Sequence, residues 1–209
     1  MSFVSLLFKI GVFMEKTVRC LLVDELRTLL SLEHQVVRAL PHMVEAAECQ
    51  GLKKAFNSHF KETKKQVRRL EKIFRLMNIQ KKPRFCKAAK GLVQECNQVL
   101  REIRKKSALK DAALISKAQR IEHYEISAYG TARAFAKELG LYRVAELLQE
   151  TLDEESRADS KLTRIAKGWV INTGVNHQAH IEGDNGSDAE DKSNFFKMMR
   201  RFQKARKAA

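Results

Sequence analysis

The chain has 209 residues, a formal net charge of +15, 44% hydrophobic and 31% charged residues, and only two prolines, Pro41 and Pro83. That is the composition of a globular protein with a sizeable core, and so few helix breakers favour long helices. Cys20, Cys49, Cys86 and Cys96 have neither CxxC nor zinc-finger spacing, which excludes a thiol redox pair or zinc site built on sequence neighbours and indicates reduced thiols in the cytoplasm.

The opening MSFVSLLFKIGVFMEK is mildly apolar but is interrupted by Lys9. No small-residue cleavage site follows, and the apolar stretch is too short to span a membrane. Met14 opens a more ordinary start, so residues 1–16 are expected to be an N-terminal extension. A helix is predicted over 18–47, where Leu22, Leu26, Leu29, Glu33, Val36 and Leu40 recur at alternating steps of four and three. Such a seam is the stripe that a helix buries in a bundle. A second helix, over 51–78, puts Leu52, Phe56, His59, Gln66, Leu70 and Ile73 on one face. Residues 79–107 form a long connection, broken at Pro83 and containing the short helical pattern GLVQECNQVLREI.

A third helix is predicted over 108–139, with Leu114, Ala118, Ile121, Glu125, Ala128, Ala132, Phe135 and Leu139 on its seam. The fourth, over 141–168, carries Val144, Leu148, Thr151, Glu155, Ala158, Leu162 and Ile165. Gly51 and Gly140 are expected to mark tight links within two helical hairpins. Glu33-His34 precedes Gly51 by the same 18 residues that separate Glu122-His123 from Gly140, which suggests an internal duplication. Two short links around one long crossover is the ferritin-like connection pattern. The fold expected for 17–169 is therefore all-α: a ferritin-like four-helix bundle whose crossover contains a short extra helix. Residues 170–194 are polar and rich in Gly, Asn and Asp, and are expected to be a flexible linker. In 195–209, Phe195, Met198, Met199 and Phe202 share one face among basic residues, the pattern of an amphipathic tail helix.

The chemistry lies in what interrupts the apolar seams. Glu33, Glu125 and Glu155 each replace an apolar seam residue, and Glu62 lies at the edge of the second stripe, one turn from His59 and Gln66. No Lys or Arg occupies these seam positions. Buried ionised carboxylates cost several kcal/mol each without a counter-charge. Two divalent ions would supply it, and carboxylate oxygens suit iron or manganese. Glu125 lies 15 residues before Gly140 and Glu155 lies 15 after it, so the two face each other across an antiparallel hairpin. Glu33 and Glu62 match less well about Gly51, and Gln66 fits better. Glu122 with Glu125, and Glu155 with Asp159, share helix faces one turn apart. His59 is either a ligand or a hydrogen-bonded core histidine. His34, His42 and His123 are assigned to the surface or the outer shell of the site, and Tyr124 and Tyr129 to packing. There is no Gly-rich phosphate loop, no Ser/His/Asp spacing and no nucleic-acid-binding motif.

The segments VDELRTLLSLEHQVVRALPHM, GLKKAFNSHFKETKKQVRRLEKIF, DAALISKAQRIEHYEISAYGTARAFAKELG and LLQETLDEESRAD resemble the YciF-like family, rubrerythrin-related bacterial stress proteins of the ferritin superfamily. The resemblance covers roughly 17–167. It implies a four-helix bundle with a short extra helix, a homodimer and a di-iron centre. By position it points to Glu33, Glu62, the pair Glu122 and Glu125, and Glu155 with Asp159. Rubrerythrins carry Glu-x-x-His on the second helix. Here the order is reversed, His59 before Glu62, which leaves the role of His59 open. The expected function is a dinuclear metal protein, holding two Fe ions or Mn, that removes peroxide, reduces dioxygen or oxidises metal during stress. The alternative is a basic interaction protein whose surface and tail helix bind nucleic acid, a membrane surface or an acidic partner.

Overall fold

The structure is a computed structural model and describes residues 17–169 and 172–184. The expectations for residues 1–16 and for the tail helix at 195–209 lie outside the described residues. Four long helices form the bundle: α1 (Val18–Ala46), α2 (Gln50–Leu76), α4 (Ala108–Glu138) and α5 (Tyr142–Lys167). The shorter α3 (Lys87–Glu102) lies in the crossover. A two-residue antiparallel pair, β1 (Gly168–Trp169) with β2 (Asn172–Thr173), leads into α6 (Val175–Asp184). No helix among the described residues is long and apolar enough to cross a membrane.

Local chemistry sets the ends of these helices. Thr17 caps α1, its side chain accepting from the Cys20 N–H, and Ser107 caps α4 by accepting from the Lys110 N–H at 3.2 Å. The α4–α5 link turns at Gly140, which holds φ +68° while the Leu141 N–H reaches back to the Ala136 carbonyl at 2.9 Å. This is a left-handed helix stop that glycine adopts without a Cβ penalty. Gly51, expected to make the matching link, instead lies in the first turn of α2. The α1–α2 link is Ala47–Cys49, and Asp111 of α4 stitches it by accepting from the Glu48 and Cys49 N–H groups at 2.9 and 2.6 Å.

That stitch also fixes the topology. The first turn of α4 meets the start of α2, so these two helices run parallel and α1 runs antiparallel to both. The crossover must return along the whole length of α2, about 40 Å for 27 residues at ~1.5 Å each. α1 packs on α2 and α4, and α5 packs on α4 and α2. This is a square in which α1 is diagonal to α5. α3 lies across α1 and α4, held by the Cys86 N–H on Ser31 Oγ at 3.1 Å and by Gln35 Nε2 on the Cys86 carbonyl at 3.1 Å.

Residues 172–184, expected to be part of a polar linker, are ordered. α6 folds back on α4 and α5, with Val175 buried, and Glu182 accepts from the Ala108 N–H at 3.1 Å. The turn depends on glycine: a Cβ on Gly174 would stand 2.2 Å from the Lys167 backbone carbon. Composition pointed to disorder because this segment offers few apolar anchors, and one buried valine with a helix-terminal carboxylate contact holds it.

Candidate metal centre

Halfway along the bundle each long helix turns polar groups inward. α1 contributes Glu33, α2 His59, α4 Glu122 and Glu125, and α5 Glu155, all with 6% or less of their surface exposed. One ligand atom from each of His59, Glu122, Glu125 and Glu155 lies within 4.8 Å of the others. His59 Nε2 is 3.2 Å from Glu122 Oε1 and 3.8 Å from Glu155 Oε2. Glu33 joins from the opposite helix, accepting a short hydrogen bond from the Tyr129 hydroxyl through Oε1.

The electrostatics follow from burial. Desolvation, with the Glu155 charge second, pushes Glu33, Glu122 and Glu125 well above the ordinary carboxylate range. Burial raises Glu155 to about 7 and lowers His59 to about 4, so the imidazole is neutral near pH 7. Without a counter-charge these carboxyls keep protons, and a neutral imidazole is the form that binds metal. The hydrogen-bond census agrees. Among the described residues ten buried side-chain N and O atoms have no hydrogen-bond partner, and seven belong to these five residues: Glu33 Oε2, both ring nitrogens of His59, Glu122 Oε2, Glu125 Oε2 and both oxygens of Glu155. Buried polar atoms are rarely left so. Fully ionised, the four carboxylates carry the charge that two divalent ions balance. Four carboxylates and one imidazole fit iron or manganese.

The other residues that the sequence pointed to lie around this cluster rather than in it. The true α1–α2 link, centred on Glu48, puts Glu62 at the right depth. The buried side of α2 is His59, Thr63, Gln66 and Leu70, however, so Glu62 is one position off it and lies half-buried in a cleft. Asp159 is turned toward the flank of α4, where its Oδ1 accepts from Gln119 Nε2 at 2.9 Å and lies 3.3 Å from His123 Nε2. His34 is half-buried, and His42 and His123 are exposed.

Two features were not read from the sequence. Tyr129, assigned to packing, is fully buried and bonded to Glu33. It lies four residues after Glu125, the spacing that puts two side chains on one helix face. One layer from the cluster, Arg69 clamps Glu154 through Nη1 and Nη2 at 2.8 and 2.9 Å and donates from Nη1 to Thr151 at 2.7 Å. Gln66 Nε2 adds a bond to Glu154 at 3.0 Å. Burial alone would raise Glu154, but these bonds outweigh it and hold its carboxyl below the usual range. The inward guanidinium therefore serves Glu154, and among the described residues no guanidinium hydrogen-bonds the five-residue cluster.

Residues 17–178 match the family described as a domain of unknown function, DUF892. The protein YciF of Escherichia coli (strain K12) is 40% identical over 152 residues, which span 72% of this chain and 91% of YciF. Among solved structures, YcfI from Rhodopseudomonas palustris superposes with a TM-score of 0.71 at 37% identity, covering 74% of this chain and 98% of that one. The E. coli stress protein YciF superposes with a TM-score of 0.68 at 39% identity, covering 71% and 93%. A Xanthomonas campestris protein at 19% identity and TM-score 0.57 shares the fold.

Proposed function

Because this chain belongs to the DUF892 family and holds a proton-retaining carboxylate cluster in its core, we propose that it is a dinuclear metal protein of the ferritin-like class, with iron as the main occupant and manganese as the substitute. The observation that carries this reading is the set of seven unpartnered buried ligand atoms on five residues from four helices. Glu33, Glu122, Glu125, Glu155 and His59 would hold the ions. Bound there, two ferrous ions would provide the two electrons that reduce dioxygen to peroxide or, with two protons, peroxide to two waters.

The chain's own residues supply the rest. The bundle excludes bulk water from Glu33 and Glu155, both 0% exposed. Tyr129 orients Glu33 and fixes which of its oxygens stays open. The name of YciF as a stress protein fits removal of peroxide or oxidation of metal under oxidative load. Purification from iron-supplemented cells should yield about two iron ions per chain, and the Glu33→Ala/Glu155→Ala double variant should yield almost none. Equal iron in both, at matched helical content, would refute the assignment.

The net charge of +15 supports a second, compatible role at an anionic surface, nucleic acid or membrane. Deleting residues 193–209 should abolish a salt-sensitive shift of DNA while leaving iron content unchanged.

A further inference from the structure

A cleft of about 390 Å³ runs between α2 and α5 and is lined by His59 and Glu122 together with Glu62, Arg157, Lys161 and Arg164. His59 and Glu122 are the two cluster residues with the most remaining exposure, 6% and 3%, against 0–1% for Glu33, Glu125 and Glu155. The cleft therefore reaches the cluster on its His59 and Glu122 side. Its rim is basic: Arg157, Lys161 and Arg164 fall at steps of four and three along α5, one helix face, and none makes a hydrogen bond or ion pair with a described residue. Glu154 also lines the cleft, but Arg69 and Gln66 already occupy its carboxylate. Glu62 and the buried Glu122 are then the acids of the lining left to offset three cations, and Arg157 also helps to hold the Glu154 carboxyl down. Its lining includes buried atoms without a hydrogen-bond partner, both His59 ring nitrogens, of which Nε2 lies 3.2 Å from Glu122 Oε1, and Glu122 Oε2.

We propose that this cleft is the entrance to the metal centre, and that its basic rim selects small anions as the exogenous ligands that reach it. The inference rests on the metal-centre reading above and adds the route and the charge class of what binds. A rim of one sign with low-dielectric walls concentrates counter-ions at its mouth. The effect should fade within a few ångströms of Debye length at high salt.

The test uses the full chain loaded anaerobically with ferrous ion, and compares azide, an anion, with nitric oxide, a neutral ligand. Nitric oxide is followed by its optical bands and azide by isothermal titration calorimetry. In the Arg157→Glu/Lys161→Glu variant azide should bind about tenfold or more weakly at low salt, while nitric oxide affinity and iron content stay unchanged. A second variant, Ala158→Trp, fills the cleft wall and should slow both ligands without removing iron. In the metal-free protein, azide should shift the amide resonances of Ser58 and Ser160 in the wild type and not in the charge-reversal variant. Full iron loading with unchanged azide affinity in the charge-reversal variant would overturn the inference and leave the metal centre standing. Failure of the wild type to take up iron would overturn both.

Discussion

Replacing Glu155 by glutamine in the metal-free protein should make stability depend on pH differently from wild type, in a direction that burial dictates. Glu155 titrates at 4.5 when exposed and at about 7 in the core. Between these values the native carboxyl keeps a proton that the unfolded chain has lost, so wild-type stability falls as pH rises through the window. At 1.36 kcal/mol per pKa unit, a rise of this size removes about 3 kcal/mol. His59 acts in the opposite sense. Its folded value, about 4, lies below 6.5, so it adds stability as pH rises over nearly the same range, while Glu33, Glu122 and Glu125 are raised in the same sense as Glu155, and the wild-type profile alone does not isolate Glu155. The glutamine variant retains His59 and loses the carboxyl. The variant-minus-wild-type difference should therefore grow in the variant's favour by about 3 kcal/mol between pH 5 and pH 8, a shift of roughly 6–12 °C in melting temperature for a domain of this size. Urea unfolding of chelator-treated protein, followed by far-UV circular dichroism at four pH values, measures it. Adding manganese should reverse the order, because only wild type retains the full ligand set. A difference that stays constant from pH 5 to pH 8 would mean that Glu155 is ionised in the empty core, and the argument from burial would fail.

Tyr129→Phe leaves Glu33 Oε1 without its donor and should cost about 1–3 kcal/mol in the metal-free protein, read by urea midpoint, with most of the loss recovered on adding ferrous ion. Asp111→Ala unties the α1–α2 link from α4 and should cost about 1–2 kcal/mol, with metal content unchanged by elemental analysis. Gly174→Ala forces a Cβ into the Lys167 backbone; α6 should come away from α4, which faster amide exchange at Ala108 and along α6 would register, while the cluster still binds metal.

The bundle is legible in the sequence because three of its seams hold: Leu22, Leu26, Leu29 and Leu40 on α1, Leu52, Leu70 and Ile73 on α2, and Val144, Leu148 and Leu162 on α5 are buried as that spacing requires. Glu33 on α1, His59 on α2 and Glu155 on α5 are likewise buried, since a helix that commits its apolar stripe to a core carries the interrupting residue in with it. α4 is harder to read. α3 and α6 cover its flanks, so burial spreads around the helix and no single stripe dominates. Past Glu125 the fully buried line is Tyr129, Ala132 and Ala136, while Ala128 and Phe135 are only half-buried, and the Tyr129 contact is hidden for that reason. On α2, placing the link at Gly51 rather than at Ala47–Cys49 moves the residue opposite Glu33 from Arg69 to Thr63, which obscures the match between Glu33 and the His59 turn. The Arg69–Glu154 clamp leaves no trace in the pattern, because both residues flank their seams and meet only through packing of α2 on α5. Asp159 shares a turn with Glu155, but one-turn spacing on a helix fixes a direction only to within the width of a face, and Gln119 takes it.

Anomalous diffraction at the iron edge from crystals grown with ferrous ion tests the central claim most directly. Two peaks enclosed by Glu33, His59, Glu122, Glu125 and Glu155, absent in the Glu33→Ala/Glu155→Ala variant, are the predicted result. Maps with no peak among these five side chains, or with iron only at surface carboxylates such as Asp159, would contradict it.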